Sequence, residues 1–279
     1  MRALLIAVAI LPVALLGTVA WLNWRQAWTE ARTEILHATE AGAEYVRRVL
    51  GDHDQAVRRI NDLLRGLSDD QIRAREAELH AVLRERVREV PEVSTAYVLD
   101  RAGTPLLSAS VFPLPRDASV SDREHHALLA APGAPDVVVT RVYVGRIEGN
   151  VFFAVARRRQ ETGNRGLPPG TFDGSINVSV DPAVLAGRLQ RVLGQSGDAV
   201  GLVRNDGEVL ARSLDGQRTL PAPRLPPQSA AVQAMQRGEE VRVSLLPSLV
   251  DGVERLGVIR RVEGWPVYVT AARASTAIT

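Results

Sequence analysis

The stretch "SDREHHALL", residues 121–129, gathers the side chains best able to do chemistry in this sequence. Asp122, Glu124, His125 and His126 follow one another closely, which suggests either a metal site or an acid–base pair. On a helix Asp122 and His126 share a face, but His125 points about 100° away from His126. Zinc needs three or four converging ligands, and one face here offers at most two. We therefore predict no metal site.

A structural role accounts for much of the same cluster. Ser121 and Glu124 match the capping-box pattern S-x-x-E, in which Ser caps a helix and Glu bonds back to the cap. Asp122 would then lie in the first turn, where its charge suits the helix dipole. "SDDQ" at 68–71 is another capping box, with Ser68 as the cap and Gln71 reaching back. Both patterns predict helix starts, and the histidines are then pocket-facing or on the surface.

No catalytic motif accompanies this cluster. The sequence has no G-x-S-x-G, no P-loop, no G-x-G-x-x-G after a strand and no cysteine, so thiolate chemistry and disulfides are excluded. The carboxylate pairs at 69–70 and 239–240 fall at element starts, where caps or solvated faces explain them. The formal net charge is only +2, which gives no general attraction to nucleic acid. We predict a protein that is not an enzyme, with no cofactor and no nucleic-acid partner.

The N-terminus predicts a membrane anchor. Residues 3–22 carry no charge over a length sufficient to cross a bilayer as a helix. Trp21, Trp24 and Trp28 follow, and indoles favour the membrane interface. A cleaved signal peptide is the alternative, but its apolar core is usually shorter, and "TVA" at 18–20 is a poor cleavage site. We expect residues 1–24 to form a single span in the inner membrane, with the bulk of the chain periplasmic.

Residues 25–90 are predicted to form a long helical stalk. A second helix follows the capping box at Ser68 and ends near Val90, because Pro91 comes next. Within the first helix, apolar residues alternate spacings of four and three, with one histidine among them. One interpretation is an amphipathic helix lying on its own domain, and the other is the seam of a parallel homodimer. The predicted seam consists of Val46, Leu50, His53, Val57, Ile60, Leu64 and Leu67.

Beyond the stalk the pattern changes to strands. Five are predicted at 94–100, 105–110, 136–144, 151–157 and 174–180, with a helix over "SDREHHALLAA" and another at 181–193. The second half repeats this order, starting with a hairpin at 198–213. "YVLDRAGTPLL" at 97–107 parallels "GLVRNDGEVLA" at 201–211, and "RIEGNVFF" at 146–153 parallels "RVEGWPVY" at 261–268. These echoes predict two related modules, at residues 91–194 and 195–275.

An ordered set of phrases resembles the double Cache (PDC, PAS-like) sensor domain of bacterial transmembrane receptors, of the diguanylate cyclase and histidine kinase type. The phrases are "VLDRAG", "SDREHHALL", "FFAVARRR", "GTFDGSINVSVDP", "GLVRNDGEVLAR" and "GVIRRVEGWPVYV". The resemblance spans roughly residues 30–273. It implies an α+β fold: a transmembrane helix, a long helix, then two tandem PAS-like modules, each with a five-stranded antiparallel sheet. The family usually has "D-R-x-[YF]-F" where this sequence has "DREHH", so His125 and His126 replace aromatics.

The resemblance also implies that residues 91–194 form the membrane-distal module and residues 195–275 the membrane-proximal one. It implies a ligand pocket between the sheet and the helix before its third strand, usually in the distal module. Alternation puts Phe153 and Arg157 on one face of their strand, and Arg141 and Tyr143 on one face of the preceding strand. Arg157 matches the first Arg of the family's strand-end "S-R-R". We expect it to hold a small organic anion. The predicted binding residues are Arg157, Tyr143, His126, Arg141, Phe153 and Asp122. Alternatively, Arg157–Arg159 form a solvated strand end, or Arg157 pairs with Asp122.

The leading hypothesis is thus a membrane-anchored, extracytoplasmic small-molecule sensor. Family members carry a second span and a cytoplasmic output, and we find neither in this sequence. We expect either a truncated product or an anchored domain without its own output. The rival hypothesis is an interaction module that binds another envelope protein without a small ligand, and a weaker one is a secreted hydrolase.

Overall fold

A computed structural model describes residues 2–90, 93–168, 170–193, 198–214, 224–248 and 252–278, but not the side chains of residues 2–10. The module boundaries predicted at residues 91 and 194–195 lie outside the described residues. The chain opens with three helices: α1 (Arg2–Leu63), α2 (Asp69–Ala74) and α3 (Glu76–Arg88). Between Pro12 and Pro91 no proline removes a helical hydrogen bond, which allows such a long helix. The capping box at Ser68 is confirmed: its Oγ accepts from the Gln71 N–H at 3.2 Å, and the Gln71 side chain accepts from the Ser68 N–H at 2.9 Å.

The distal module is built on an antiparallel sheet in the order β2-β1-β6-β5-β3. A further strand, β4, also pairs with β5. One helix precedes β3 in the chain, and one follows β6. The elements are β1 (Val93–Leu99), β2 (Pro105–Ser108), α4 (Glu124–Ala130), β3 (Val138–Val139), β4 (Tyr143–Val144), β5 (Val151–Arg158), β6 (Ser175–Val180) and α5 (Pro182–Leu193).

The strand predicted at 136–144 is interrupted in its middle. Thr140 causes the break, because its Oγ1 accepts the Ala154 N–H at 2.9 Å in place of a main-chain carbonyl. Its own N–H still donates to the Ala154 carbonyl, also at 2.9 Å. The chain therefore leaves the ladder after β3 and returns as β4, with its register on β5 shifted by one residue. The β4–β5 loop follows directly after this shift.

The proximal module has a five-stranded antiparallel sheet in the order β8-β7-β11-β10-β9. When β4 is left out and the strands are numbered from the start of each module, both sheets have the order 2-1-5-4-3. The predicted fold class of two five-strand modules is confirmed. The elements are β7 (Ala199–Arg204), β8 (Val209–Leu214), α6 (Ala230–Gln236), β9 (Val241–Pro247), β10 (Glu254–Arg261), β11 (Val267–Ala274) and a short 3-10 helix (Ser275–Ala277).

The two modules repeat the same hydrogen-bonded hairpin. Gly103 and Gly207 both have positive φ, 74° and 91°, where glycine is favoured. The Gly103 carbonyl accepts the Val120 N–H at 2.9 Å, and the Gly207 carbonyl accepts the Leu225 N–H at 2.9 Å. In each module this bond ties the loop before the helix back to the first hairpin. The first sequence echo is therefore confirmed as a structural repeat.

The second echo is wrong. "RIEG" precedes β5, which is the fourth strand of the distal five-strand path, whereas "RVEG" precedes β11, the fifth strand of the proximal one. The two phrases do not occupy equivalent positions. Both segments are tight turns before an apolar strand, and this shared local requirement is enough to produce similar short sequences.

The predicted dimer seam is buried inside its own chain. Val46, Leu50 and His53 are fully buried, and Val57, Ile60 and Leu64 are at most 4% exposed. They pack against the sheets, α5, α2 and α3, while Leu67 packs at the edge of the same core. The His53 Nδ1 bonds to the Val49 carbonyl at 2.7 Å. The seam as a dimer interface is therefore wrong, and the alternative of an amphipathic helix lying on its own domain is confirmed.

The start of α1 has a different surface. From residue 11 to residue 24 its large apolar side chains project outwards. Among the described residues, no helix combines the length and hydropathy required to cross a membrane. Residues 3–10 of the predicted span have side chains outside the description. The exposed apolar side chains are Leu11, Val13, Leu15, Leu16, Val19, Trp21, Leu22 and Trp24.

Candidate functional site

The helix over "SDREHHALL" starts later than predicted. α4 begins at Glu124 with Arg123 as N-cap, and no side chain bonds to the cap. Ser121 instead lies in the preceding turn, where its N–H donates to Ser119 Oγ at 3.2 Å. Asp122 turns outwards and pairs with Arg146 at 2.7 Å. The predicted capping box at Ser121 is therefore wrong, because the loop return to Gly103 holds residues 119–122 in a turn.

The two histidines of α4 diverge, as their positions on a helix predict. The His125 Nε2 lies 3.2 Å from Asn177 Nδ2 on β6, and its ring packs edge-on against Tyr143, with centroids 5.7 Å apart. The His126 ring instead packs edge-on against Phe172, with centroids 5.2 Å apart. Burial, aided by the charge of Arg123, lowers the pKa of His125 to about 4. Burial also lowers the pKa of His126. In the described part of the chain, no three potential ligands gather around one point where a metal could bind.

Arg157, which was predicted to bind the ligand, lies on the face of the distal sheet that packs against α1. Phe153 and Val155 pack in the core that includes α1. Arg157 continues this face and pairs with Asp54 of α1, donating through Nη2 at 3.0 Å. The alternation predicted along β5 is correct, but the face that carries it packs on α1. Arg157 and Phe153 therefore do not line the cavity on the opposite face.

A cavity lies on the opposite face of the distal sheet. Its empty space, counted together with the open solvent at its mouth, is about 520 Å³. The floor consists of β1 and β6 side chains, and the β4–β5 loop and the segment before α4 form the walls. We call it the distal cavity; its lining includes Thr95, Tyr97, Leu99, Pro105, Ala118, Val120, Arg123, Gly145, Arg146, Ile147, Glu148, Asn150, Phe152, Asn177 and Ser179.

Arg123 is the buried cation of this cavity, with 8% of its surface exposed. Its guanidinium stacks over Tyr143 at 4.6 Å and near Phe152 at 5.6 Å, and its Nη2 donates to the Val144 carbonyl at 3.0 Å. Within the described ranges no carboxylate lies at ion-pair distance from it. Burial lowers the pKa of Arg123, and the charge of Arg146 adds to this. A buried guanidinium without an anion is costly, so the site favours an anionic group in the cavity.

The opposite wall carries a carboxylate. Glu148, on the β4–β5 loop, accepts a hydrogen bond from the Tyr97 hydroxyl at 2.7 Å and from Ser110 Oγ at 3.0 Å. Burial and the hydrogen bond to Glu148 raise the pKa of Tyr97 to about 12, so its hydroxyl remains a donor. The Asn177 Oδ1 is buried and has no protein partner among the described residues. The cavity thus combines a cation and a carboxylate on its walls with an amide on its floor.

The other predicted site residues surround the cavity without lining it. Tyr143 supports the Arg123 guanidinium, and Asp122 holds Arg146, which is in the lining. Arg141 is turned towards the proximal module, where it lies 3.6 Å from Glu208. His126 packs on Phe172, which does not line the cavity.

Sequence reasoning missed Arg123, Tyr97, Glu148 and Asn177. One signal was present in the strand "SINVSV". Its Ser175, Asn177 and Ser179 alternate with aliphatic residues, and yet all six side chains are buried. A polar stripe on a strand with two buried faces indicates a polar interior site, because such side chains need hydrogen-bond partners.

The proximal module buries an aromatic side chain on the corresponding face of its sheet. Tyr268 of β11 is 2% exposed, packs with Val203, Val209 and Met235, and donates from its hydroxyl to the Met235 carbonyl at 3.1 Å. Through the strand register, Tyr268 opposes Val203 as Ser175 opposes Leu99 in the distal sheet. A large aromatic side chain thus stands where the distal module has a small serine, which is buried and outside the cavity lining.

Comparisons with known proteins agree with this architecture. No protein-family model matches the sequence. No curated protein matches it either. Among solved structures, the extracellular domain of a protein assigned as a histidine kinase superposes with a TM-score of 0.74 at 20% identity, over 90% of this chain and 97% of that one.

Two chemoreceptor domains also share the fold. The ligand-binding domain of Tlp3 from Campylobacter jejuni, in complex with L-valine, has a TM-score of 0.60 at 13% identity, over 92% of this chain and 98% of that one. The ligand-binding domain of CtaA from Pseudomonas fluorescens, in complex with L-isoleucine, has a TM-score of 0.61 at 14% identity, over 91% of this chain and 97% of that one. Two of the three are ligand-binding domains, and the other is an extracellular domain. The predicted resemblance to double Cache sensor domains is confirmed at the level of the fold.

Proposed function

We propose that this chain is the extracytoplasmic ligand-sensing part of a membrane signal-transduction receptor and has no catalytic role. The observation that carries the proposal is Arg123: a buried guanidinium on the wall of the distal cavity with no carboxylate partner among the described residues. A ligand carboxylate would complete this site by charge-assisted hydrogen bonds. The shared fold of extracellular sensor domains supports the same function.

The ligand class follows from the two walls. Arg123 suits a carboxylate, and Glu148, already accepting from Tyr97 and Ser110, suits an ammonium group. Leu99, Ile147 and other apolar side chains line the remainder. This arrangement fits a small zwitterion such as an amino acid, and two of the structural neighbours hold L-valine and L-isoleucine. The carboxylate predicted from the sequence is kept, with Arg123 in place of Arg157 as its partner, but the proposed ligand is a zwitterion and not a net anion.

The proposed organisation follows the sequence. Residues 1–24 form an inner-membrane anchor, 25–90 the helical stalk, 91–194 the distal sensing module and 195–275 the proximal module, all beyond the anchor being periplasmic. The exposed apolar side chains between Leu11 and Trp24 support the anchor, because such a surface is unfavourable in water. The cavity and its buried Arg123 support a ligand site in the distal module.

Thermal unfolding of the full chain in lipid nanodiscs tests the proposal. The panel consists of amino acids and small mono- and dicarboxylates. A ligand at a hundredfold excess over its dissociation constant stabilises the native state by about 2.7 kcal/mol. We expect at least one carboxylate to raise the melting temperature, and Arg123→Ala to weaken its binding roughly 10- to 100-fold, the effect of losing a charged hydrogen bond.

Arg157→Ala is the matched control. It also removes a partly buried arginine from the distal module, but on the face that packs against α1. We expect it to lower the melting temperature while the ligand affinity stays unchanged. Loss of binding in Arg157→Ala with full binding in Arg123→Ala would contradict the assignment of the cavity. A panel without any stabilising compound would contradict ligand sensing and favour the interaction module.

A further inference from the structure

The proximal sheet ends in an apolar edge. β9 is its outermost strand, and Leu245 and Leu246 near its end are 45% and 47% exposed. Val253, just before β10, is 39% exposed. We call these three side chains the β9 tip. An exposed apolar strand end at a sheet edge promotes association unless something covers it.

The β9 tip lies at the membrane end of α1. Arg260, which pairs in register with Val241, lies 3.8 Å from Glu40 of α1. Arg273, level with Leu245 through β10, donates to Glu34 at 2.8 Å. Moving along β9 from residue 241 to residue 245 therefore corresponds to moving along α1 from residue 40 to residue 34. The tip continues in this direction, towards the N-terminus.

A cleft between α1 and β9 connects the tip to the tryptophans that follow the apolar start of the chain. Leu245 and Val243 form one side, and Trp24 and Trp28 form the other. Trp24 is 50% exposed. The tip thus lies beside indoles that favour the level of lipid headgroups.

The charge around this cleft fits a lipid surface. Its lining contains two arginines, Arg25 and Arg32, and no carboxylate. The next cleft along the same side of α1, farther from the N-terminus, is lined by four glutamates and two arginines. Cationic side chains near the apolar end attract anionic headgroups, and the four glutamates of the second cleft are farther from that end.

From this arrangement we infer that the β9 tip docks into the headgroup region of the bilayer and so fixes the proximal module against the membrane. Aliphatic side chains at the boundary between headgroups and acyl chains bury the area that water would otherwise contact. The tryptophans and arginines of the cleft form the rim of this contact. The inference rests on the anchor proposed above for residues 1–24.

Single cysteines test the docking directly, because the chain contains no cysteine of its own. The full chain is reconstituted in vesicles of phosphatidylcholine with phosphatidylglycerol, and an environment-sensitive fluorophore is attached at Leu246→Cys. Quenchers attached near the top of the acyl chains report contact with the bilayer. Leu128→Cys, with a 40% exposed side chain in the distal module, is the matched control, and Leu16→Cys reports the anchor.

We expect strong quenching at positions 246 and 16 and none at 128. Quenching at 16 without quenching at 246 would overturn the docking and leave the anchor intact. No quenching at either position would overturn both. Equal quenching at 246 and 128 would indicate non-specific adsorption and also overturn the docking. Leu245→Asp, combined with the label at 246, should abolish its quenching, because a carboxylate beside the anionic headgroups is repelled.

Discussion

The two buried histidines of α4 make folding depend on pH. Burial, with the charge of Arg123, lowers the pKa of His125 from 6.5 to about 4, so the native state binds its proton less readily than the unfolded chain. Stability should therefore be highest above pH 6.5 and fall as the pH decreases towards 4. By linkage this one group accounts for a loss of about 3 kcal/mol across that window.

His125→Tyr should remove most of this dependence, since tyrosine does not titrate there. The check is the urea midpoint at pH 7 and pH 5. The wild type should lose more stability between these two values than the variant. His126→Phe serves for comparison and should remove a further part, because burial lowers the pKa of His126 as well. A wild-type midpoint that does not change between pH 7 and pH 5 would contradict the burial of neutral histidines.

The two serine caps predicted from the sequence provide a second test at single residues. Ser68 caps α2 with both bonds of a capping box, so Ser68→Ala should cost about 1 kcal/mol. Ser121 caps nothing, and Ser121→Ala should change the free energy of unfolding by less than about 0.5 kcal/mol. Chemical denaturation of both variants measures these two changes in the free energy of unfolding. An equal cost at the two sites would indicate that Ser121 caps α4 after all.

At the scale of elements, α1 is held by its buried stripe. Leu50 is fully buried within the chain, so Leu50→Ala should cost about 2–5 kcal/mol. The cost should be the same at low and high protein concentration, because the contacts are intramolecular. Unfolding followed at two widely separated concentrations checks this. A cost that grows with concentration would restore the dimer seam.

The strands and helices were predictable because their signals are local. The alternation of apolar residues, the glycines at hairpin turns and Pro182 at the start of α5 each act within a few residues. Which element packs against a given face of a sheet is not determined by nearby residues. Phe153 and Arg157 were placed on one face correctly, but both faces of the distal sheet are covered, one by α1 and one by α4 with its loop. Periodicity fixes which residues share a face and not which partner covers it.

Part of the candidate site could be predicted from the sequence. The segment "DREHH" was singled out, and it contains Arg123, but attention went to the histidines because they are the more reactive residues. The role of Arg123 depends on the β4–β5 loop, and that loop is placed by the strand break at Thr140. No pattern in the sequence predicts that break, since Thr is otherwise common in strands.

At the scale of the whole molecule, Arg204 joins the modules. This buried arginine at the end of β7 donates to Glu124 of α4 at 3.0 Å and to the Val139 carbonyl at 3.2 Å. Glu124 follows Arg123 directly, so the module contact and the cavity wall are adjacent in the chain. A double-mutant cycle with Glu124→Gln and Arg204→Gln should give an interaction energy of about 1 kcal/mol. A value of zero would mean that this contact does not couple the modules.

One long helix sets a phase relation between the two sheets. The buried stripe of α1 includes Ile35, beside the proximal module, and Ile60, beside the distal module and α2. These positions are 25 residues apart (60 − 35), which is almost seven complete turns at 3.6 residues per turn. This single helix therefore fixes the rotation of one module relative to the other. Adding one residue to α1 between the modules would rotate one of them by roughly 100° relative to the other, whereas adding seven would leave them nearly aligned.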